Sequence, residues 1–201
     1  MIVVDVETTG TDPQKHSIIS IGAIDMNAPS ETFYLECRMW DGAHVEPAGM
    51  EVNGMSVEGI KDLRKPEEGE AVTTFFEWLK FREDGVIGAQ NPLFDLGFLQ
   101  AASKRHHIDF RLAHRSIDLH TVTYMHMVKR GLTPPVKNKR SDINSDSIMA
   151  YVGIPAEPKP HIAINGAVWE AEAFSRLFFD KVLLEKFSTF RIPWMGLDDS
   201  K

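Results

Sequence analysis

At 201 residues, 43% hydrophobic and 25% charged, the chain has the make-up of a globular domain with a full core, expected to run over residues 1–201. No apolar run is long enough to span a membrane, and no targeting peptide is expected before a strand that begins at residue 2. A net charge of −7 gives no general attraction to nucleic acid, although metal-ligand acids would be neutralised in use. The single cysteine, Cys37, excludes an intrachain disulfide and fits a reducing cytoplasm.

Residues 2–10 read as a β-branched strand closed by Thr8-Thr9-Gly10. Residues 16–24 and 31–37 predict a second and third strand, joined by a tight turn at 27–30. A loop through Gly42 and Pro47 follows, then a turn at Asn53-Gly54 and a short helix near 56–60. Apolar spacing through Val72, Phe75, Phe76 and Leu79 predicts a helix over 67–81. A short buried strand is expected at 86–89 and a helix at 92–106, with Pro92 in its first turn and Asn91 as its cap. Residues 116–119 predict a strand running into helix through 128, and the last helices fall at 143–151 and 167–184. This order predicts a mixed α/β fold, with antiparallel strands first and parallel crossovers afterwards.

Within the first strand, Asp5 and Glu7 lie two residues apart, hence on one face. Their apolar neighbours point to burial, where two unpaired carboxylates cost several kcal/mol. A hard cation such as Mg²⁺ or Mn²⁺ between them resolves the conflict. The competing arrangement is an edge strand with both acids in water. Further on, Asp95 borders the buried stripe of Phe94, Phe98 and Leu99, where it is either a solvated face residue or a third carboxylate aimed at the first strand. His161 precedes the last helix, where a lone histidine more often packs or caps than reacts.

Together these three clusters resemble the DEDDh family of 3′–5′ exonucleases, within the ribonuclease H-like superfamily. Val4-Asp5-Val6-Glu7-Thr8-Thr9-Gly10 is similar to the family's first motif, Asn91-Pro-Leu-Phe94-Asp95-Leu-Gly-Phe98-Leu99 to its second, and His161 to the general base of its third. Glu51-Val-Asn53-Gly54 and Ser116-Ile-Asp118 are lesser matches, and the likeness spans roughly residues 2–180. It implies a central mixed sheet flanked by helices and two ions of Mg²⁺ or Mn²⁺ held by acids. It also implies release of nucleoside 5′-monophosphates from a single-stranded DNA or short RNA 3′ end. Thr8, Thr9, Gly10, Asn53 and Asn91 would contact the substrate. A polymerase or repair complex would be the partner, with no membrane involved.

One departure bears on the chemistry. The family places an aspartate five residues after the histidine, and here that position is Gly166. Glu170 lies one helical turn beyond, on the same face, and leans back toward the vacant place. It is therefore expected to serve as the fourth acid; the alternatives are a solvated Glu170 or a three-carboxylate site completed by water. Asn165 and Glu172 are poorer candidates, one neutral and the other pointing elsewhere.

The basic residues Lys129, Arg130, Lys137, Lys139 and Arg140 either guide a phosphate backbone or form a solvated loop. Trp40 is expected to anchor its loop rather than stack on a base, and Tyr124, Met125 and Met127 to pack within their helix. Two functions are consistent with this reading. One is a metal-dependent exonuclease using Asp5, Glu7, Asp95, His161 and Glu170. The other is a nucleic-acid-binding module that has lost efficient catalysis through Gly166.

Overall fold

The computed structural model describes residues 1–196 apart from 111, 113 and 114. Three antiparallel strands come first: β1 (Ile2–Thr8), β2 (Ile18–Asp25) and β3 (Thr32–Glu36). β4 (Ile87–Ala89) and β5 (Ser116–Asp118) then add in parallel on the other side of β1. The strand order is β3-β2-β1-β4-β5, the mixed sheet expected from the sequence. β1 is thus central, which its β-branched composition suits.

The helices are α1 (Pro47–Asn53), α2 (Glu68–Lys80), α3 (Pro92–Arg105), α4 (Leu119–Lys129), α5 (Ser145–Val152) and α6 (Ala163–Phe179). Strand alternation divides the core in two. Ile2, Val4 and Val6 pack with Phe75 and Phe76 of α2 and Phe98 and Leu99 of α3. Met1 and Val3 face the other way, onto Ala167, Ala171 and Phe174 of α6. Asp5 and Glu7 continue the α6-facing row past the last apolar residue.

Three expectations are corrected. Residues 47–53 form a helix rather than a loop, with Pro47 in the first turn and Gly54 closing it at φ +65°. This is the proline-start, glycine-stop asymmetry, and it was available in the sequence. Next, α6 begins at Ala163, four residues before the predicted 167, and ends at Asp180 in the left-handed region rather than at 184. Gly166 consequently lies in the first turn of α6. Finally, part of the basic stretch forms a small hairpin, β6 (Val136–Lys137) with β7 (Arg140–Ser141).

Candidate active site

The site forms where the parallel strands end. β1 delivers Asp5 and Glu7, the turn after β4 leads into α3, and β5 ends at Asp118. In sheets of this kind the loops at the strand C-termini diverge and leave a crevice. Asp5 pairs in register with Gly22 of β2. A β-carbon on Gly22 would lie 2.2 Å from the Ala163 carbonyl carbon, so the first turn of α6 rests directly on this bare stretch of sheet. Three residues on, in the same turn, a β-carbon on Gly166 would lie 2.4 Å from Asp5 Oδ2. Two missing side chains therefore let α6 settle against Asp5.

Asp95 is 3% exposed, and its Oδ1 accepts from the Val6 backbone N–H at 3.1 Å. That amide lies between Asp5 and Glu7, so the third acid is hooked onto the strand that carries the first two. Glu170 is 6% exposed and accepts from the Gln90 N–H at 2.9 Å, which fastens α6 to the turn after β4. It is not a solvated helix residue. The structure brings Asp5 close enough to raise the pKa of Asp95, and both Asp5 and Asp95 close enough to raise that of Glu170.

Burial raises the Asp5 carboxyl to about 7, with repulsion from Glu157 adding and the Val6 N–H opposing. Glu7 rises to about 8, through burial, then Asp5, then Glu157. Asp95 stands well above the carboxylate range through burial and Asp5, and Glu170 through burial, Asp5 and Asp95. Among the described residues, no basic side chain relieves any of the four. Such a group of hard, mutually repelling oxygens suits divalent cations that take oxygen ligands. Among these same described residues, no three His, Cys, Asp or Glu side chains are already spaced as a metal cage.

His161 lies two residues before α6, one third exposed, with Nδ1 3.5 Å from Glu157 Oε2. It lines a cleft of about 660 Å³ together with Glu51, Asp146, Lys159 and Pro160. α1 holds the two halves of the site in place. Asn53 donates to the Thr8 carbonyl at 3.2 Å, and a β-carbon on Gly54 would meet Pro160 at 2.6 Å. Helix α1 thus braces the end of the acid-bearing strand against the loop that carries His161.

The residues expected to contact substrate are placed unequally. Thr8 donates to the Gly10 carbonyl at 2.7 Å. Thr9 donates to His44 O at 2.7 Å and accepts from Ser17 N, so both hydroxyls are engaged in shaping the loop. Gly10 packs on His16, where a β-carbon would clash at 2.5 Å. Asn91 occupies the cap position of α3 in the left-handed region, but its side chain makes no cap bond, which corrects that expectation. Its N–H donates instead to Asp118 Oδ1 at 3.1 Å.

Trp40 is a half-buried anchor, its N–H bonded to Ser17 Oγ and its ring covered by Arg105 at 4.5 Å. Met127 is buried as expected, whereas Tyr124 and Met125 are exposed. Glu172 points away from the site, pairing with Arg176 Nε at 2.7 Å. Glu157 is the residue that the sequence did not bring forward. Its only signal was a position four before His161, in a proline-rich stretch with no periodicity to read.

The family model for exonucleases (RNase_T) matches residues 2–172, and the chain belongs to this family, of the DEDDh 3′–5′ exonuclease type. Among curated relatives, 104 residues are 32% identical to the PolC-type DNA polymerase III of Thermotoga maritima, covering 52% of this chain and 7% of that protein. Ribonuclease T of Actinobacillus pleuropneumoniae is 27% identical over 117 residues, 52% of this chain and 53% of that enzyme. The chain therefore matches about half the length of ribonuclease T and a small part of the polymerase.

Solved structures share the fold. The nuclease domain of 3′hExo, a DEDDh family member bound to rAMP, superposes with a TM-score of 0.68 at 16% identity, covering 91% of this chain and 93% of that one. Cell-death related nuclease 4 gives 0.70 at 16%, covering 90% and 64%. E. coli exonuclease I in complex with a dA16 oligonucleotide gives 0.66 at 19%, covering 88% and 40%.

Proposed function

We propose that this protein is a divalent-metal-dependent 3′–5′ exonuclease that removes nucleoside 5′-monophosphates from single-stranded DNA or short RNA. The observation that carries the reading is the gathering of Asp5, Glu7, Asp95 and Glu170 near enough for charge on one to act on another, with His161 linked to them through Glu157. Membership of the exonuclease family supports it.

Asp5, Glu7, Asp95 and Glu170 would hold Mg²⁺ or Mn²⁺. Bound ions of this kind acidify a water and neutralise charge on a departing oxygen. His161 takes the proton from the attacking water, using whichever ring nitrogen is free. Asp95, fixed by the Val6 amide, orients the acid cluster from the α3 side. Glu7, near the end of β1, would receive the terminal 3′-hydroxyl and so select a chain end over an internal bond.

The β6–β7 hairpin contributes Lys137, Lys139 and Arg140, all exposed. It is tied to α4 by His120 and Ser141 at 2.8 Å, and Asp118 at the start of α4 holds the Asn91 turn. This series of hydrogen bonds connects the basic hairpin to the site and suits it to guide phosphates inward. The PolC-type relative supports a place beside a polymerase or repair complex.

The deciding experiment is release of labelled mononucleotide from a 3′-labelled oligomer with Mg²⁺ or Mn²⁺, and its loss in EDTA. Binding of the oligomer without release would favour a binding module that has lost catalysis through Gly166.

A further inference from the structure

We propose that Glu157 is the positioning residue of His161, accepting from its Nδ1–H and so presenting Nε2 as the basic nitrogen. The inference rests on the reading of His161 as the base, and it adds a residue outside the motifs of the family resemblance.

The Glu157 side chain is 7% exposed, unusual for a glutamate in a loop. A carboxylate so buried requires partners. Among the described residues it has two: His161 Nδ1, 3.5 Å from Oε2, and the Ile162 N–H, which donates to Oε1 at 3.4 Å. One carboxylate thus spans the histidine and the amide that follows it. That second bond fixes the carboxylate relative to the start of α6, whose cap is Ile162. The separation from His161 is long for a hydrogen bond, as catalytic pairs often are before substrate binds. The carboxylate is already on the Nδ1 side of the ring.

The alternative role, a further metal ligand, is less well served by this geometry. Both Glu157 oxygens are directed at residues 161 and 162. The carboxylate also lies near enough to Asp5 and Glu7 to raise both, so the pair stands against the acid cluster with its histidine turned to the cleft. A carboxylate behind a histidine selects its tautomer and stabilises the imidazolium formed on proton uptake.

The test reads the tautomer in metal-free protein by long-range ¹H–¹⁵N correlation, with His161→Gln to assign the signal. Wild type should show the Nδ1–H form, and Glu157→Ala should move toward the Nε2–H form favoured by imidazole in water. In the same variant kcat should fall roughly 10–100-fold with KM unchanged, and Mn²⁺ affinity should fall less than in Glu170→Ala, because only a neighbouring charge and no ligand is lost. If Glu157→Ala does not fold, Glu157→Gln keeps an acceptor for Nδ1–H but no charge. It should keep the tautomer and lose part of kcat.

An unchanged tautomer in Glu157→Ala, or wild-type kcat in Glu157→Gln, overturns the proposal. A fall in Mn²⁺ affinity as large as in Glu170→Ala would overturn it in favour of a metal ligand. Full turnover in His161→Gln would instead remove the base from the proposed function, while a tautomer set by Glu157 would still stand.

Discussion

Gly166 is packed against Asp5 so closely that a β-carbon on it would lie 2.4 Å from Asp5 Oδ2 and 2.8 Å from Cγ. The position where the family has an aspartate is therefore already filled by the carboxylate of the first motif. In an ordinary helix interior, replacing glycine by alanine gains about 1 kcal/mol. Here Gly166→Ala must rotate the Asp5 carboxylate away. Turnover should fall by about 10²-fold, as for a displacement of roughly 1 Å at a reacting centre. Gly166→Asp combined with Glu170→Ala restores the family's spacing along the chain, yet it should stay poorly active for the same reason. Turnover with Mn²⁺, with a crystal structure of Gly166→Ala, checks this; wild-type rates in either variant would refute it.

Apo stability should fall as pH rises from about 4 to about 8. Asp5 and Glu7 are raised to about 7 and about 8 by burial and repulsion, so the folded state holds more protons than the unfolded one across this window. Their stabilisation is complete below the ordinary carboxylate range and is lost as pH passes their folded values. His126, which burial holds below its usual value, acts in the opposite sense. Comparison with Asp5→Asn and Glu7→Gln isolates the acids. In EDTA both variants should lose less Tm between pH 5 and 8 than wild type, and both should be inactive with metal. Equal pH dependence in all three proteins would contradict this.

His161→Gln should lower turnover by about 10²–10⁴-fold, the usual loss for a general base. Mn²⁺ affinity by calorimetry should stay level, because His161 lines the cleft and is proposed as a base, not as a ligand. Lost metal affinity in this variant would assign the residue differently.

Glu170 and Glu172, two residues apart on α6, should behave oppositely. Glu170→Ala removes a carboxylate from the acid cluster, so metal affinity and turnover should drop while apo stability holds. Glu172 accepts from Arg176 and from the Leu183 and Leu184 amides, and Arg176 is fully buried. Glu172→Ala strands that guanidinium and should cost about 3–5 kcal/mol of stability. Urea unfolding of the two variants in EDTA, with Mn²⁺ titrations, separates the roles.

Charge reversal at Lys137, Lys139 and Arg140 should raise KM for long oligomers and leave kcat unchanged. The salt dependence of binding should flatten, by roughly 0.7 in log–log slope for each single-strand phosphate that the hairpin no longer neutralises. An unaltered slope would return the hairpin to a solvated role.

Much of this protein was determined by local pattern. Alternating and β-branched residues set β1 to β3, helical spacing set α2 and α3, and two acids inside an apolar strand pointed to a cation before any neighbour was known. These signals are local because strand and helix periodicity needs only a few residues. The start of α6 was not legible in that way. It depends on Gly22, a residue of another strand, whose missing side chain lets Ala163 and Ile164 rest on the sheet. The place of Glu170 was legible as a helix face, but its burial and its bond to Gln90 required the turn after β4 to be brought against α6. Gly166 read as a lost acid in sequence, and packing shows it as the gap into which Asp5 fits. Glu157 was silent, because a carboxylate in an aperiodic loop acquires meaning only when the chain folds it against His161, Asp5 and Glu7. Which residues carry charge is written along the chain; which charges are forced together follows from close packing between elements distant in sequence.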